Sequence, residues 1–450
     1  MNPTTKAEKS NLQNAIPQVK DLIKIVLQSY FQKEYRRTDL LVEVIFNPEE
    51  DTPFTKFLNK HQLSQKEIVT LLIALIPHIS PEFLSGIIQE FLPNGGEFPE
   101  FGGVKGKNHR GILPTVETVL FILAGNDIEK RIEVSSLFSE EHIFAKQGIL
   151  YVEEVPSGEP VMSGKIILDQ EYVELFTTGK VSKPKLSSNF PAQLITTELK
   201  WDDLVLSEKT SSEISEIETW LNHNETLFND WQMKTKIKPG FRVLFYGPAG
   251  TGKTLTASLL GKYTNRDVYR IDLSLVVSKY IGETEKNLSK LFDKARNKDW
   301  ILFFDEADSI FGKRTSVRDA HDKYANQEVS YLLQRIESHS GLVILATNFK
   351  SNIDIAFTRR FNSIIEFENP QAKERLELWK NYLPKRICLE KNISLEEIAR
   401  KYEITGSNIV NIIQYACLKT LEKKSETVAH IDLINGIRKE YLKEGKMINS

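Results

Sequence analysis

One run of eight residues constrains this chain more than any other: Gly247-Pro248-Ala249-Gly250-Thr251-Gly252-Lys253-Thr254, set directly after the apolar stretch Val243-Leu244-Phe245-Tyr246. The pattern G-x-x-x-x-G-K-[ST] requires a strand, a tight loop and a helix in that order, and Leu255 to Leu260 reads as the helix. Glycines at 247, 250 and 252 permit positive φ, so that amide N–H groups turn inward and the helix dipole adds partial positive charge. Such a cradle suits the phosphates of a nucleoside triphosphate. Gly247 through Leu255 are expected to line it, with Lys253 reaching the β and γ phosphates and Thr254 ligating Mg²⁺ through its hydroxyl. The structural alternative is a glycine-rich turn that only resembles such a loop.

Residues 241 to 368 alternate apolar runs with amphipathic stretches, the pattern of a parallel sheet covered on both faces. The runs Val243 to Tyr246, Val268 to Ile271, Ile301 to Phe304, Leu342 to Ala346 and Ile364 to Phe367 predict a five-stranded, doubly wound α/β sheet. Leu288, Leu291, Phe292 and Ala295 fall at helical spacing, as do Val329, Leu332, Leu333 and Ile336. The third strand ends in Asp305-Glu306. Here Asp305 is expected to hold the metal, directly or through its water shell, and Glu306 to orient and deprotonate an attacking water. Asn348 ends the fourth strand, where its amide is placed to touch a γ-phosphate or the lytic water, or where it is simply a turn residue.

The flanks read differently. After Pro370 strand signals stop, and helices are expected around Leu376, Trp379 and Leu383, after the capping box Ser394-x-x-Glu397, and through Ile409, Ile412, Ile413 and Ala416. Near the amino terminus, Val19, Leu22, Ile23, Val26, Leu27 and Tyr30 form one helix face. Ser64-x-x-Glu67 opens another helix, and Ile149 to Val155 and Val161 to Leu168 are expected to pair as strands. The expected organisation is a mainly helical α+β domain at 1–180, a linker at 181–200, an α/β domain at 201–369 and a helical lid at 370–450.

Charge matters for what the chain can bind. With 59 basic and 61 acidic residues in 450, a net of −2 gives no overall pull toward nucleic acid or an anionic membrane, although a local patch is compatible with it. Cys388 and Cys417 fit neither a disulfide framework nor a zinc pattern. The apolar runs, such as Val69 to Ile76, are far shorter than a bilayer span, and no secretory leader is apparent. A cytoplasmic protein without membrane insertion is the expectation.

Several motifs in one order make residues from about 200 to 440 resemble an AAA ATPase module. They are Trp201-Asp202-Asp203-Leu204, the phosphate loop, Asp305-Glu306-Ala307-Asp308-Ser309-Ile310-Phe311, and Ala346-Thr347-Asn348 through Asp354-x-Ala356-Phe357-x-Arg359-Arg360-Phe361. The resemblance implies a P-loop large domain with a helical lid, ATP with Mg²⁺, hydrolysis, and a ring, commonly a hexamer, with nucleotide between subunits. It makes Asn348 the sensor 1 residue and Arg359 and Arg360 the arginine fingers that reach a neighbour's γ-phosphate. It also makes Lys279-Tyr280-Ile281-Gly282-Glu283 similar to a first pore loop, in which Tyr280, Ile281 and Gly282 grip a protein client. The structural alternative for Tyr280 and Ile281 is a place in the core of their own subunit. Gly406 and Ser407 match small lid residues that approach the nucleotide, and Ser407 also reads as a helix N-cap. The stretch Arg314 to Lys323 lies where a second pore loop would be and shows no clear pattern.

The run Gly102 to Thr115, with His109 and Arg110, reads as an anion-binding nest, a partner-binding loop or an ordinary surface loop. Together with Leu120 to Gly125 it resembles the amino-terminal part of AAA ATPases found with bacterial phage-tail-like contractile injection systems, which implies work on such a particle. The expected function is therefore a ring-forming ATPase that remodels, threads or assembles protein clients. The alternatives are a nucleotide-gated scaffold or loader with little turnover, and a nucleic-acid remodeller, which neutral charge and the lack of a sensor 2 arginine disfavour.

Overall fold

The computed structural model describes residues 4–32, 44–45, 49–187, 190–276, 283–296, 298–308, 320–348 and 358–446. The chain forms two compact units, Met1–Lys183 and Pro184–Ser450.

The amino-terminal unit is led by helices. Thr4–Phe31 is the longest, and Gln65–Ile79 is buried along most of its length, from Ile68 through Pro77. Its start is a closed capping box: the Ser64 hydroxyl accepts from the Glu67 N–H while the Glu67 carboxylate accepts from the Ser64 N–H at 2.6 Å. Leu22, Leu71, Leu72, Leu75, Val119 and Phe144 form part of the core, with Tyr30, Phe98, Phe101 and Phe121 in a cluster of edge-on and tilted rings. The expected strand pair is present but shorter than expected, Leu150–Val152 against Ile166–Leu168, because Val161–Ser163 turns as a 3₁₀ helix. The glycine-rich stretch holds a small hairpin, Val104–Lys105 against Ile112–Leu113. Among the described residues no single helix is long and apolar enough to cross a membrane.

The second unit is built on a six-stranded sheet. Its strands are β1 (Ala192–Ile195), β2 (Phe241–Tyr246), β3 (Val268–Ile271), β4 (Ile301–Phe304), β5 (Leu342–Thr347) and β6 (Ser363–Glu366). The spatial order is β6-β2-β5-β4-β3-β1. The five strands legible in the sequence are parallel to one another, and β1, which lies in the expected linker, adds an antiparallel edge against β3. Four residues of which only Ala192 is fully buried carry too little pattern to announce a strand, and pairing with β3 supplies the rest.

Both faces of the sheet are covered, and the alternation along the central strands explains why. Leu244, Leu302, Phe304, Val343 and Leu345 point to one face, where the helices Glu283–Ala295 and Ala320–Ser338 lie. Val243, Phe245, Ile301, Phe303, Leu342 and Ile344 point to the other, against Glu208–Glu225 and Lys253–Thr264. Side chains alternate with period two, so strands apolar at every position need helices on both sides.

The helical lid follows: Ala372–Tyr382, Leu395–Lys401, Gly406–Glu422 and His430–Lys443 close around Trp379, Ile409, Ile412, Leu433 and Ile437. Trp379 is fully buried, and a short parallel pair, Cys388–Leu389 with Thr427–Val428, ties the ends of the lid together.

Candidate nucleotide site

Strand order alone gathers the chemistry. β2, β5 and β4 are adjacent and parallel, so the loop after Tyr246, the residue after Thr347 and the pair after Phe304 all emerge at the same, carboxyl edge. That edge is where open α/β sheets bind ligands.

The loop conforms to its sequence. Gly247, Gly250 and Gly252 take φ of 144°, 79° and 102°, and the helix begins at Lys253. Gly250 is also a point of close approach: a Cβ there would sit 1.9 Å from Ser407 Oγ and 2.8 Å from Thr405 Oγ1. Lys253 is 7% exposed, and its ammonium donates to Gly247 O at 2.6 Å, Pro248 O at 2.9 Å and Asn348 Oδ1 at 3.1 Å. Burial lowers its pKa, and the carboxylates of Asp305 and Asp308 oppose that shift. Thr251 Oγ1 donates to Pro248 O, which closes the turn.

Beside the loop, Glu306 is exposed at a φ of 50°, and its N–H donates to Asp305 Oδ1 at 3.1 Å. A non-glycine residue in that region carries strain of about 1 kcal/mol, a feature that recurs at functional sites. Thr347 Oγ1 donates to Asp308 Oδ1 at 2.9 Å, which ties the end of β5, and so Asn348, to the turn after β4.

A cavity of about 530 Å³ opens here. Ala249 to Leu255, Asp305, Glu306 and Asn348 line one side, Asp203 to Ser207 another, and Gly406, Ser407, Val410 and Asn411 of the lid a third. The small residues Gly406 and Ser407 line the cavity, and the helix is capped by Thr405. Its hydroxyl accepts from the Asn408 N–H, and Asn408 Oδ1 accepts from the Thr405 N–H at 2.9 Å. Ser407 is not the cap because this box closes one turn around Thr405; instead its N–H donates to Gly250 O at 3.3 Å. Behind the box, Glu440 is 5% exposed and accepts from Asn408 Nδ2 at 3.0 Å and Asn411 Nδ2 at 3.3 Å. Sequence reading missed Val410 and Asn411 as cavity residues and Thr405 as the cap; the threonine with asparagine three residues later was the available signal for the cap.

Arg359 and Arg360 are not at this edge. They are exposed in the turn before β6, whose first residue Ser363 pairs with Val243 near the start of β2. Arg360 Nη1 meets Glu337 Oε1 at 2.5 Å, and for Arg359 no ion pair occurs among the described residues. Tyr280, Ile281 and Gly282 lie outside the described residues, as do Ser309 to Phe311, Arg314 to Asp319, and Asp354, Ala356 and Phe357; Ala320 to Lys323 begin a helix.

The residues fit a magnesium-bound triphosphate on three structural counts. The glycine cradle leaves no room for a Cβ at position 250, a buried ammonium stands at its centre, and a hydroxyl on Thr254 and a carboxylate on Asp305 flank one cavity.

Residues 243–369 match the family described as "ATPase family associated with various cellular activities (AAA)". The chain is 32% identical over 250 residues to the proteasome-activating nucleotidase of Methanocaldococcus jannaschii, covering 54% of this chain and 57% of the relative. It is 32% identical over 226 residues to the cell division cycle protein 48 homolog of Archaeoglobus fulgidus, covering 48% and 30%. With the 26S proteasome regulatory subunit S10B homolog B of Arabidopsis thaliana it shares 30% over 226 residues, covering 48% and 56%. The chain therefore spans little more than half the length of these relatives at most.

Proposed function

The chain belongs, through residues 243–369, to the AAA ATPase family, and from that premise we propose that it hydrolyses ATP in an assembly of several copies to do mechanical work on a protein client. The observation that carries the reading is the convergence of the phosphate loop, Asp305-Glu306 and Asn348 on one cavity at the carboxyl edge of three adjacent strands.

Each residue then has a task that its position suits. Amide N–H groups from Gly247 to Thr254 and the Lys253 ammonium bind the β and γ phosphates, the lysine exchanging its carbonyl partners for phosphate oxygens. Thr254 and Asp305 would hold Mg²⁺, whose charge would offset that of the phosphate oxygens. Glu306 takes the proton of the attacking water, and Asn348, held through Thr347 and Asp308, orients that water or the γ-phosphate. Gly406 and Ser407 close the cavity from the lid.

The arginines belong to another copy's site. They stand at the amino-terminal end of the sheet, about 13 Å of strand away from the loop that β2 feeds at ~3.3 Å per residue. A guanidinium there suits the charge spread over a neighbour's γ-phosphate oxygens, so the site is completed by assembly, with a hexamer as the expected ring. Support for a protein client comes from relatives named for proteasome activation and cell division, and from the similarity of Tyr280-Ile281-Gly282 to a client-gripping loop. A contractile injection particle as that client has one support, the resemblance of residues 102–125. A cytoplasmic location goes with this reading.

Replacing Glu306 by Gln tests it. Binding of ATP should persist while steady-state phosphate release falls by about 100-fold or more. Undiminished release would remove Glu306 from the mechanism. Stimulation of phosphate release by added client separates a working motor from a nucleotide-gated scaffold. Steeply salt-dependent binding to DNA or RNA would point instead to a nucleic-acid remodeller.

A further inference from the structure

At the end of the sheet remote from the cavity, Arg242 is buried at 5% exposure. Its guanidinium makes no salt bridge among the described residues. It is spread instead over main-chain and amide acceptors. Nη1 donates to Pro239 O at 3.2 Å and Glu337 O at 2.9 Å, Nη2 to Gly240 O at 3.1 Å, and Nε to Asn362 Oδ1 at 3.2 Å. The main chain repeats the link: Arg242 N–H donates to Asn362 Oδ1 at 2.9 Å, and Asn362 N–H to Arg242 O at 2.8 Å. A buried cation is costly, and this one is retained with Pro239 and Gly240 of its own loop taking two of its hydrogen bonds and two distant segments taking the others.

Those segments are the carboxyl end of the helix Ala320–Ser338 and the entry to β6, and between them sit the two arginines. Glu337 finishes the assembly. Its carboxylate binds Arg360 Nη1 through Oε1 and approaches Lys238 Nζ through Oε2 at 3.5 Å, while its carbonyl is held by Arg242. Arg359, one residue before, has no such tether among the described residues.

We infer that Arg242, Asn362 and Glu337 are positioning residues for the arginine turn, which hold Arg360 inside its own subunit and present Arg359 to the triphosphate of a second copy. The inference rests on the reading that the arginine pair acts in trans. It makes the two arginines unequal: Arg359 contacts the neighbour's phosphate, and Arg360 fixes the turn from which Arg359 projects. Such support is what a transition-state contact needs, because a displacement of about 1 Å at the reacting group costs roughly two orders of magnitude in rate.

The test uses full-length variants, alone and mixed. Asn362→Ala should lower kcat about tenfold with KM for ATP within about twofold, since the variant's own cavity is at the far end of the strand. Asn362→Asp, which keeps the acceptor, should retain the parental kcat. Arg359→Ala should lose as much turnover as the double substitution of Arg359 and Arg360. Glu337→Gln and Arg360→Ala should each cost several-fold, and the two combined no more than Arg360→Ala alone. Mixing Asn362→Ala with Glu306→Gln chains should restore turnover, because the second chain lends an intact arginine turn to the first chain's cavity. Parental kcat in Asn362→Ala, additive losses for Glu337→Gln and Arg360→Ala, or an unrescued mixture would overturn the inference. Failure of the Arg359→Ala/Arg360→Ala chain to recover in the same mixture would instead refute trans action itself.

Discussion

Single residues at the two ends of the sheet carry opposite burdens. Gly250 is confined by both its φ of 79° and the Ser407 and Thr405 oxygens within 3 Å of any Cβ placed there. Gly250→Ala should therefore weaken ATP binding by about tenfold or more and destabilise the fold by roughly 1–3 kcal/mol, checked by isothermal titration and thermal melts. His339 shows the other kind of burden. Burial, with Arg242 and then Arg335 nearby, lowers its pKa to about 4 from 6.5, and its Nε2 has no hydrogen-bond partner among the described residues. Between these two values the unfolded chain binds the proton and the folded chain does not, so stability falls as pH drops from 6.5 toward 4. The loss amounts to roughly 3 kcal/mol at most. His339→Gln should flatten that part of a melting-temperature profile against pH; an unchanged slope would assign the acid sensitivity elsewhere.

At the scale of elements, the lid helix Gly406–Glu422 meets the phosphate loop through its first turn. Thr405 caps it, Ser407 bonds Gly250 O, and Asn408 and Asn411 reach the buried Glu440 of the last helix. Removing the cap in Thr405→Ala should cost about 1 kcal/mol in stability and raise KM for ATP more than it lowers kcat. Denaturant titration and steady-state kinetics check the two halves separately.

The same elements show what is legible without coordinates. Five parallel strands and the phosphate loop could be read because each is a run of Val, Ile, Leu and Phe with a demanding turn after it, and local chemistry suffices to define such units. β1 could not be read, because Ala192–Ile195 becomes a strand only by pairing with β3. The cap reads two residues out of place at Ser407, since the threonine before Gly406 competes for the same cap and wins through Asn408. Arg242 escaped notice for a related reason. Beside its local partners Pro239 and Gly240, the bonds that matter reach 95 and 120 residues away, and a link of that reach leaves no mark in a local pattern.

For the whole molecule, the proposed trans action of the arginines, which lie along the strands from the cavity, would make turnover a property of the assembly. Specific activity per chain should rise with protein concentration until assembly is complete, and Arg359→Ala/Arg360→Ala chains should stay at the low, unassembled rate while remaining folded. Phosphate release measured over a dilution series, beside sedimentation of the same samples, checks this. Activity independent of concentration down to the monomer would show that each chain works alone.

The placement of the two partners on unlike faces has one more outcome. A contact that joins the head of one copy to the tail of the next contains no stop signal of its own. Whether such a series closes on itself or winds on as an open spiral depends only on the rotation between successive copies. If the arginine turn lies in that contact, as proposed, small changes there should convert closed particles into split washers or filaments, visible by electron microscopy.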